Sequence, residues 1–219
     1  MITVLLADDQ AMLRAGFRSL IELAGDITVI GEATDGPEAV RMARLLGPDV
    51  VCMDVRMPGG DGLTATRDIV GTLDPAPAVL VLTTYELDEY VFGALEAGAS
   101  GFLLKDADVD TLVDAIRRLA AGQGMVDQAV TRRVIVEFAR RRRAAVPAGT
   151  GPGVLTAREA EIVRLLAHGL SNAEIAAELV VEVSTVKSHL SRAMTKIGAR
   201  DRVQTVIWAY RSGLLPLEP

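Results

Sequence analysis

Three carboxylates follow two apolar stretches of the chain, and their spacing suggests a chemical site. Asp8 and Asp9 follow the run Ile2–Ala7, and Asp54 follows residues 50–53, just before a segment rich in proline and glycine. Apolar runs that stop at a polar residue are typical of buried parallel strands, whose carboxyl ends form the ligand-binding edge of an α/β sheet. Three acids at one edge repel one another unless a divalent cation lies among them, and such oxygen ligands suit Mg²⁺.

A hydroxyl and an amine follow two further apolar runs. Thr83 follows residues 79–82, and Lys105 follows Gly101–Leu104. Right-handed crossovers bring the ends of parallel strands to one edge, so we expect both groups near the acids. Taken singly, these residues have structural explanations: a turn former, a helix cap, a strand residue and a surface charge. Together they indicate a site for a metal ion and a phosphoryl group.

The first half of the chain alternates between strand-like runs and amphipathic helical stretches. The runs cover residues 2–7, 27–31, 50–53, 79–82 and 101–104. This alternation predicts an α/β fold with a doubly wound, five-stranded parallel sheet. Asp106 and Asp108 offer capping carboxylates for a helix that we predict over residues 109–121.

Charge divides the chain into two parts of different character. Residues 1–122 contain 9 basic and 20 acidic residues, whereas residues 123–219 contain 14 basic and 9 acidic residues. The net charges are therefore −11 and +5, which together give the −6 of the whole chain. The asymmetry indicates that only the second part binds a polyanion.

The rest of the composition excludes other classes of protein. The sequence lacks an apolar run of membrane-spanning length and a basic leader, so we expect a cytoplasmic protein with no membrane association. Its single cysteine, Cys52, falls in a predicted core strand, and we expect it to pack there without a chemical role.

A linker joins the two parts. A helical stretch runs from Asp127 to about Arg143, and small residues with proline and glycine follow it up to Gly153. The four consecutive arginines at 140–143 either touch DNA without sequence preference or form a solvated helix end.

Helical periodicity dominates the second part. Thr156 and Glu159 form a capping box before a helix over residues 160–168, and further helices are predicted over 172–179, 184–197 and 201–212. The third of these has an apolar face that includes Val183, Val186 and Leu190, and its other face is polar and basic. Such a helix after a short helix and a turn suits the DNA major groove, although an ordinary surface helix has the same periodicity.

The first part resembles the receiver domain of two-component response regulators, which has a flavodoxin-like fold. The resemblance covers about 120 residues, with the motifs in order. These motifs are Asp8-Asp9, Asp54 with Met57-Pro58-Gly59-Gly60-Asp61-Gly62, Leu82-Thr83-Thr84, and Gly98 through Phe102 to Lys105-Asp106.

The resemblance implies a role for each residue of the site. It makes Asp54 the phosphoacceptor, and it gives Mg²⁺ a direct ligand in Asp9, a water-mediated ligand in Asp8 and the backbone carbonyl of Arg56. Thr83 would hydrogen-bond the phosphoryl group, and Lys105 would pair with it. Phe102 would be the aromatic residue that rotates on activation; it lacks the hydroxyl of the tyrosine found in many relatives, so it can switch only by packing.

The second part resembles the LuxR-type helix-turn-helix domain. The motifs that carry the resemblance are Leu155-Thr156-Ala157-Arg158-Glu159, Gly169-Leu170-Ser171-Asn172, Ser184-Thr185-Val186-Lys187-Ser188-His189 and Ile197-Gly198-Ala199-Arg200. The resemblance implies base contacts from Lys187, Ser188 and Ser191. It also implies phosphate contacts from Thr185, His189 and Arg192. Glu182 departs from the pattern because it places an anion just before the recognition helix.

The whole chain is therefore similar to NarL/FixJ-type response regulators. We expect a receiver over residues 1–122, a helical and flexible linker over 123–152, and an all-α helix-turn-helix domain over 153–219. The function that this implies is phosphorylation-controlled transcription regulation, with a sensor histidine kinase and double-stranded DNA as partners, and a homodimer when phosphorylated. We expect no enzyme activity. The alternatives are an aspartyl-phosphate phosphotransfer enzyme and a receiver-type regulator that works without phosphorylation.

Overall fold

The chain folds as two compact units, Met1–Asp127 and Gln128–Pro219. The computed structural model describes residues 1–59, 61–84, 88–123, 125–126 and 154–215. The predicted linker helix and the arginine run at 140–143 lie outside the described residues. The finer division at residues 122 and 152 stays a prediction.

The N-terminal unit contains a parallel sheet whose strands alternate with helices. The strands are β1 (Ile2–Ala7), β2 (Ile27–Ala33), β3 (Val50–Asp54), β4 (Ala78–Thr83), β5 (Gly101–Leu104) and β6 (Met125–Val126). The helices are α1 (Ala11–Glu22), α2 (Gly36–Leu46), α3 (Gly62–Thr72), α4 (Asp88–Ala97) and α5 (Val109–Ala120). The strand order is β2-β1-β3-β4-β5-β6, with every pair parallel. The predicted doubly wound sheet and its five strands are confirmed.

Strand β6 is an addition to the predicted sheet. Its two residues pair with the edge of β5, with Gly101 opposite Met125 and Phe102 opposite Val126. Two residues are too few to give a periodic signal in the sequence, so only the tertiary pairing defines this strand.

The central strands are buried on both faces, as apolar runs without alternation predict. On one face, Val4 and Leu6 of β1 join a core with Ile21 of α1 and Ile116 of α5. Cys52 belongs to this core, and burial raises the pKa of its thiol to about 12, which fits the packing role expected for it.

The C-terminal unit is a small helical bundle. Its described helices are α6 (Ala157–Ala167), α7 (Asn172–Glu178), α8 (Val183–Ile197) and α9 (Arg202–Ser212). The predicted capping box of Thr156 and Glu159 is present, and Ser171 forms a second capping box with Glu174. No helix in the described parts of the chain combines the length and apolarity that a membrane span requires.

Candidate functional site

The strand order places four chemically active residues at one edge of the sheet. Strands β1, β3, β4 and β5 are consecutive neighbours, and all four are parallel. Asp8 follows β1, Asp54 ends β3, Thr83 ends β4 and Lys105 follows β5. The predicted assembly of these residues at one sheet edge therefore follows from the observed topology.

Lys105 connects two of the predicted acids. Its Nζ lies 2.6 Å from Asp8 Oδ2 and 2.8 Å from Asp54 Oδ2. The side chains of Lys105, Asp8 and Asp54 are only 5–7% exposed, whereas Asp9 is exposed. Carboxylate oxygens of Asp8, Asp9 and Asp54 all lie within 4.8 Å of one another.

Burial and ion pairing have opposite effects on the pKa values of Asp54 and Lys105. Burial raises the pKa of Asp54, and the nearby Asp8 charge adds to that, while hydrogen bonding and charge from Lys105 lower it; burial prevails. For Lys105, burial alone would lower the pKa, but the hydrogen bonds that its ammonium donates to Asp54 and Asp8, together with the charges of these two carboxylates, outweigh burial and raise the pKa. The ammonium therefore stays charged, and the carboxylates compete for it.

The residues present fit a hard divalent cation. In the described part of the site, three carboxylates face one lysine ammonium, so negative charge is in excess. Their oxygens are the ligands that Mg²⁺ prefers. An open cleft of about 530 Å³ adjoins the cluster, and its lining residues are Asp9, Val55, Arg56, Met57, Pro58 and Asp61. Arg56, the predicted source of a carbonyl ligand, thus lies beside Asp9, and its backbone N–H donates to the Asp54 carboxylate.

Asp8 is held through each of its polar groups. Its Oδ1 accepts the Gln10 N–H at 2.8 Å and its Oδ2 pairs with Lys105. Its N–H donates to the Ala33 carbonyl at 3.1 Å, and its own carbonyl accepts from Arg14 Nη1 at 2.6 Å. Asp8 therefore has little freedom to turn toward a ligand, in contrast to the exposed Asp9.

Thr83 and Phe102 are both buried, at 1% and 2% exposure. The Thr83 carbonyl accepts the Lys105 backbone N–H at 2.9 Å, which ties the ends of β4 and β5 together. Phe102 lies on β5 opposite Val81, and it is not a member of the acid cluster. The loop after Thr84, residues 85–87, lies outside the described residues.

Gly62 lies directly against the Asp54 backbone. A Cβ at this position would lie 1.9 Å from the Asp54 carbonyl oxygen and 2.9 Å from its carbonyl carbon. The Gly62 N–H donates to Val55 O at 3.0 Å, and Asp61 caps α3 through the Leu63 N–H. The start of α3 therefore supports the end of β3, and a side chain at residue 62 would displace it.

Three residues that the sequence analysis did not single out, Arg14, Arg18 and Glu32, form an ion-pair network next to Asp8. Arg14 Nε donates to Glu32 Oε2 at 3.0 Å, and Arg18 Nε donates to Glu32 Oε1 at 2.8 Å. Hydrogen bonds from these two arginines lower the pKa of Glu32. A signal was available: the arginines are four residues apart on α1, and Glu32 is near the end of the strand beside β1.

Helix α8 presents the predicted DNA-binding residues. On the predicted apolar face, Val186, Leu190 and Ala193 are buried in the unit, whereas Val183 is 39% exposed. Val183 is the first residue of the helix, where the neighbouring helices no longer cover it. The exposed predicted contacts are Lys187, Ser188, Ser191 and Arg192, while Thr185 and His189 are half-buried.

Lys196, near the end of the same helix, has a different environment. Its Nζ donates to both carboxylate oxygens of Glu159, at 2.9 and 2.7 Å. Hydrogen bonding from Lys196, with that from the Thr156 backbone, lowers the pKa of Glu159 to about 2. Lys196 thus attaches α8 to the first turn of α6, which explains why it differs in role from Lys187.

The turn between α7 and α8 contains two unusual residues. Val180 has a left-handed backbone (φ 53°) and is 89% exposed, with hydrogen bonds from Val180 N to Ala177 O and from Val181 N to Ala176 O. This is a Schellman motif, in which glycine is the usual residue. Glu182 is the N-cap of α8, and its side chain forms no capping hydrogen bond.

Most apolar side chains of helix α9 pack inside the C-terminal unit. Val203, Val206, Ile207 and Tyr210 are buried, and the Tyr210 hydroxyl donates to Ala167 O at 3.2 Å. Trp208 is half-buried, so it is the aromatic residue of this helix that is accessible to a partner.

Comparison with family models accounts for both units. Residues 4–117 match the model described as "Response regulator receiver domain", and residues 153–209 match the model described as "Bacterial regulatory proteins, luxR family". Together these matches cover most of the chain.

Curated relatives match this chain over nearly its whole length. The transcriptional regulatory protein YxjL of Bacillus subtilis (strain 168) is 42% identical over 214 residues, which cover 98% of this chain and 97% of the relative. The transcriptional regulatory protein LiaR of the same organism is 40% identical, covering 98% and 100%. Among solved structures, the response regulator ChrA of a heme-sensing two-component system matches with a TM-score of 0.52 at 37% identity, covering 98% of both chains.

Proposed function

Because the chain belongs to the two-component response regulators of the NarL/FixJ type, we propose that phosphorylation of Asp54 controls its activity as a DNA-binding transcription regulator. The observation that carries this proposal is the position of Asp54, which shares Lys105 with Asp8 at the carboxyl edge of the sheet. The phosphoryl donor is a sensor histidine kinase. The protein meets both the kinase and its DNA target in the cytoplasm.

The chemical step is a phosphoryl transfer to a carboxylate. An Asp54 carboxylate oxygen attacks the phosphorus of the donor, the bond from phosphorus to the donor's leaving atom breaks, and the leaving group keeps the electron pair. The product is an acyl phosphate. The Lys105 ammonium lies 2.8 Å from the Asp54 carboxylate, so it can pair with the negatively charged phosphoryl oxygens once they are attached.

Asp8, Asp9 and Asp54 would hold Mg²⁺, with the Arg56 carbonyl beside them. Bound Mg²⁺ neutralises charge on the phosphoryl oxygens during transfer. The exposure of Asp9 supports its role as a direct ligand. The hydrogen bonds on both carboxylate oxygens of Asp8 support an indirect role for it, through water.

The phosphorylated state would differ from the resting state near β4 and β5. A phosphoryl group adds about −1.5 to −2 charge and new acceptor oxygens, which the Thr83 hydroxyl can reach from the neighbouring strand end. Movement of Thr83 would vacate space that Phe102 can fill by rotation, since its ring is apolar and is buried in the resting state. Such a change favours a receiver surface that pairs with a second receiver, giving the active homodimer.

The output is recognition of double-stranded DNA by α8. Lys187, Ser188 and Ser191 would contact bases in the major groove, and Thr185, His189 and Arg192 would contact phosphates. The exposure of four of these side chains supports this assignment. A dimer would read two half-sites about one helical turn apart. The half-buried Trp208 on α9 would then contribute to the surface that contacts the second copy.

The deciding experiment compares the full-length protein with its Asp54→Asn variant. Each is incubated with acetyl phosphate and Mg²⁺, and phosphoryl incorporation is followed by intact mass while operator affinity is measured in parallel. We expect one phosphoryl group on the parent, none on Asp54→Asn, and a donor-dependent rise in DNA affinity in the parent alone.

Asp61→Asn is the matched control, because Asp61 is an exposed acid at the same sheet edge whose capping role asparagine can fill. It should accept a phosphoryl group as the parent does. Equal incorporation by Asp54→Asn and the parent would contradict the assignment of Asp54. Phosphorylation without any change in DNA affinity would contradict the proposed control.

A further inference from the structure

Arg14 contacts the backbone of the acidic pair rather than its carboxylates. Its Nη1 lies 2.6 Å from the Asp8 carbonyl oxygen, and its Nε lies 3.0 Å from Glu32 Oε2. The Arg14 side chain is only 12% exposed. One guanidinium therefore connects the end of β1 with the side chain of a β2 residue.

The peptide bond between Asp8 and Asp9 is the group that this contact fixes. A peptide unit is planar, so holding its carbonyl oxygen also sets the direction of the Asp9 N–H and the position of the Asp9 Cα. The Asp8 N–H is held in turn by the Ala33 carbonyl at 3.1 Å. Without Arg14, the peptide after Asp8 could rotate and carry the exposed Asp9 side chain away from Asp54.

Glu32 fixes the guanidinium in place. It accepts from Arg14 at one carboxylate oxygen and from Arg18 at the other, and Arg18 Nη1 also donates to the Val29 carbonyl at 3.0 Å. Because Glu32 balances its charge, Arg14 acts on the acid cluster mainly through geometry. A planar guanidinium suits this task, since its donors point in fixed directions.

We propose that Arg14, anchored by Glu32, is a positioning residue that orients the Asp8–Asp9 peptide so that Asp9 faces the metal site. The inference rests on the proposed Mg²⁺ site at Asp8, Asp9 and Asp54. Groups that orient metal ligands from outside the coordination shell typically affect metal affinity by about 10–100-fold.

The sign of the effect separates positioning from simple electrostatics. Arg14→Met removes a positive charge near three carboxylates, so Coulomb interactions alone would tighten Mg²⁺ binding. Loss of positioning weakens it instead. We expect Arg14→Met to raise the Mg²⁺ dissociation constant about 10-fold, as measured by isothermal titration calorimetry on the full-length protein.

Arg117→Met is the matched control. Arg117 forms an ion pair with Asp26, at 2.7 Å, in the same unit but without contact to Asp8 or Asp9 in the described residues. Its loss should leave Mg²⁺ affinity unchanged. Because Arg18 still pairs with Glu32 in Arg14→Met, the substitution does not strand the Glu32 charge, and folding can be verified by circular dichroism.

Two further variants test the mechanism. Arg14→Lys keeps the positive charge but loses the planar guanidinium with its fixed donor directions, so it should also weaken Mg²⁺ binding. If Arg14→Met does not fold, Arg14→Lys alone tests the positioning role. Glu32→Gln should weaken binding in the parent but add nothing in the Arg14→Met background, because Glu32 acts through Arg14. At saturating Mg²⁺, phosphorylation of Arg14→Met by acetyl phosphate should regain the parent rate.

Each outcome has a distinct meaning. Parent-like or tighter Mg²⁺ binding by both folded Arg14 variants would overturn the positioning role while leaving the metal site intact. Absence of Mg²⁺ binding by the parent itself would overturn the proposed metal site, and the inference with it. Weaker binding in both Arg14 variants, with Arg117→Met unchanged, is the result that supports the inference.

Discussion

Lys105 Nζ lies 2.8 Å from Asp54 Oδ2, so the ammonium that pairs with the resting carboxylate is already within reach of a phosphoryl group attached to it. The same ammonium lies 2.6 Å from Asp8 Oδ2. The resting site is therefore held together by one cation that two buried acids share, and each acid depends on it for compensation. This arrangement makes the stability of the N-terminal unit sensitive to Lys105 and to Mg²⁺ together.

Lys105→Met should destabilise the N-terminal unit by about 3–5 kcal/mol in the presence of a chelator, because Asp8 and Asp54 then lie close together without the ammonium. Mg²⁺ should restore more stability to this variant than to the parent, since the ion can replace the missing charge. Calorimetry of the full-length protein with and without Mg²⁺ measures both effects. Lys187→Met, in the other unit, is the control, and a Lys105→Met loss that Mg²⁺ leaves unchanged would argue against a shared metal site.

Gly62→Ala should impair the site without altering any of its functional groups. The new Cβ would lie 1.9 Å from the Asp54 carbonyl oxygen. Because this oxygen belongs to the backbone and cannot rotate away as a side chain can, β3 or α3 must shift. We expect a loss of about 2–3 kcal/mol and slower phosphorylation of Asp54. Gly71→Ala, in the same helix with no atom within 4 Å of its Cβ, should instead stabilise the protein by about 0.5 kcal/mol. Chemical unfolding and acetyl phosphate labelling of both variants provide the test.

The sequence predicted the sheet, and the residues that stand at its strand ends, because apolar runs and the polar residues that follow them are local signals. Five strands were identified, and the burial of Asp8, Asp54 and Thr83 follows from their position after those runs. Strand β6 was missed because its two residues pair only through tertiary contact with β5. Val183 shares a helix face with Val186 and Leu190, as projected, but it is 39% exposed, because helical projection does not reveal the lack of neighbours at a helix end.

Contacts between distant residues could not be predicted in the same way. Arg14 of α1 and Glu32 of β2 are 18 residues apart and meet only because α1 packs against β2. Glu159 and Lys196 are 37 residues apart. Helical periodicity alone does not predict that Lys196 forms an ion pair with Glu159 whereas Lys187 is exposed. The capping box of Glu159 was recognisable, but the second partner of that carboxylate depends on how α6 packs against α8.

Lys187→Ala and Arg192→Ala should have different effects on DNA recognition. Lys187 is exposed on the face of α8 assigned to base contacts, so its loss should change the preferred sequence at one position, at a cost of about 1–3 kcal/mol. Arg192 is assigned to a phosphate, so its loss should weaken binding uniformly and flatten the salt dependence. Binding to a randomised operator library at several salt concentrations distinguishes these results. Unchanged sequence preference in Lys187→Ala would remove it from the base-reading set.

Glu182→Ser should stabilise the recognition helix. Glu182 is the N-cap of α8 without a capping hydrogen bond, whereas serine at this position can accept from the helix N–H groups. We expect a gain of about 1 kcal/mol in unfolding free energy. Trp208 is the only tryptophan, and its fluorescence reports unfolding of the C-terminal unit in urea. Glu182→Ala, which removes the same charge without creating a cap, should gain less, and equal gains would assign the effect to charge.

The ion pair of Glu159 with Lys196 should make the C-terminal unit sensitive to acid. Lys196 and the Thr156 backbone lower the pKa of Glu159 to about 2, from an ordinary value of 4.5. A depressed carboxyl pKa contributes stability that is complete above the unfolded-state value and is lost as the pH falls through the folded-state value. The contribution should therefore decline between about pH 5 and pH 2. Because the Lys196 side chain is 38% exposed, solvent screening limits it to about 1–2 kcal/mol.

Lys196→Met and Glu159→Gln test separately the contributions of the ammonium and of the carboxylate to this acid sensitivity. Lys196→Met leaves a buried carboxylate without its ammonium, so the pKa of Glu159 should rise toward its unfolded-state value, and this variant should lose less stability than the parent as the pH falls from 5 to 2. Glu159→Gln has no carboxyl group to titrate, so the difference in stability between it and the parent should shrink as the pH falls from 5 to 2. Urea unfolding monitored by Trp208 fluorescence at each pH measures these differences. If the parent and Glu159→Gln lose stability in parallel across this range, the ion pair does not control the acid response of the unit.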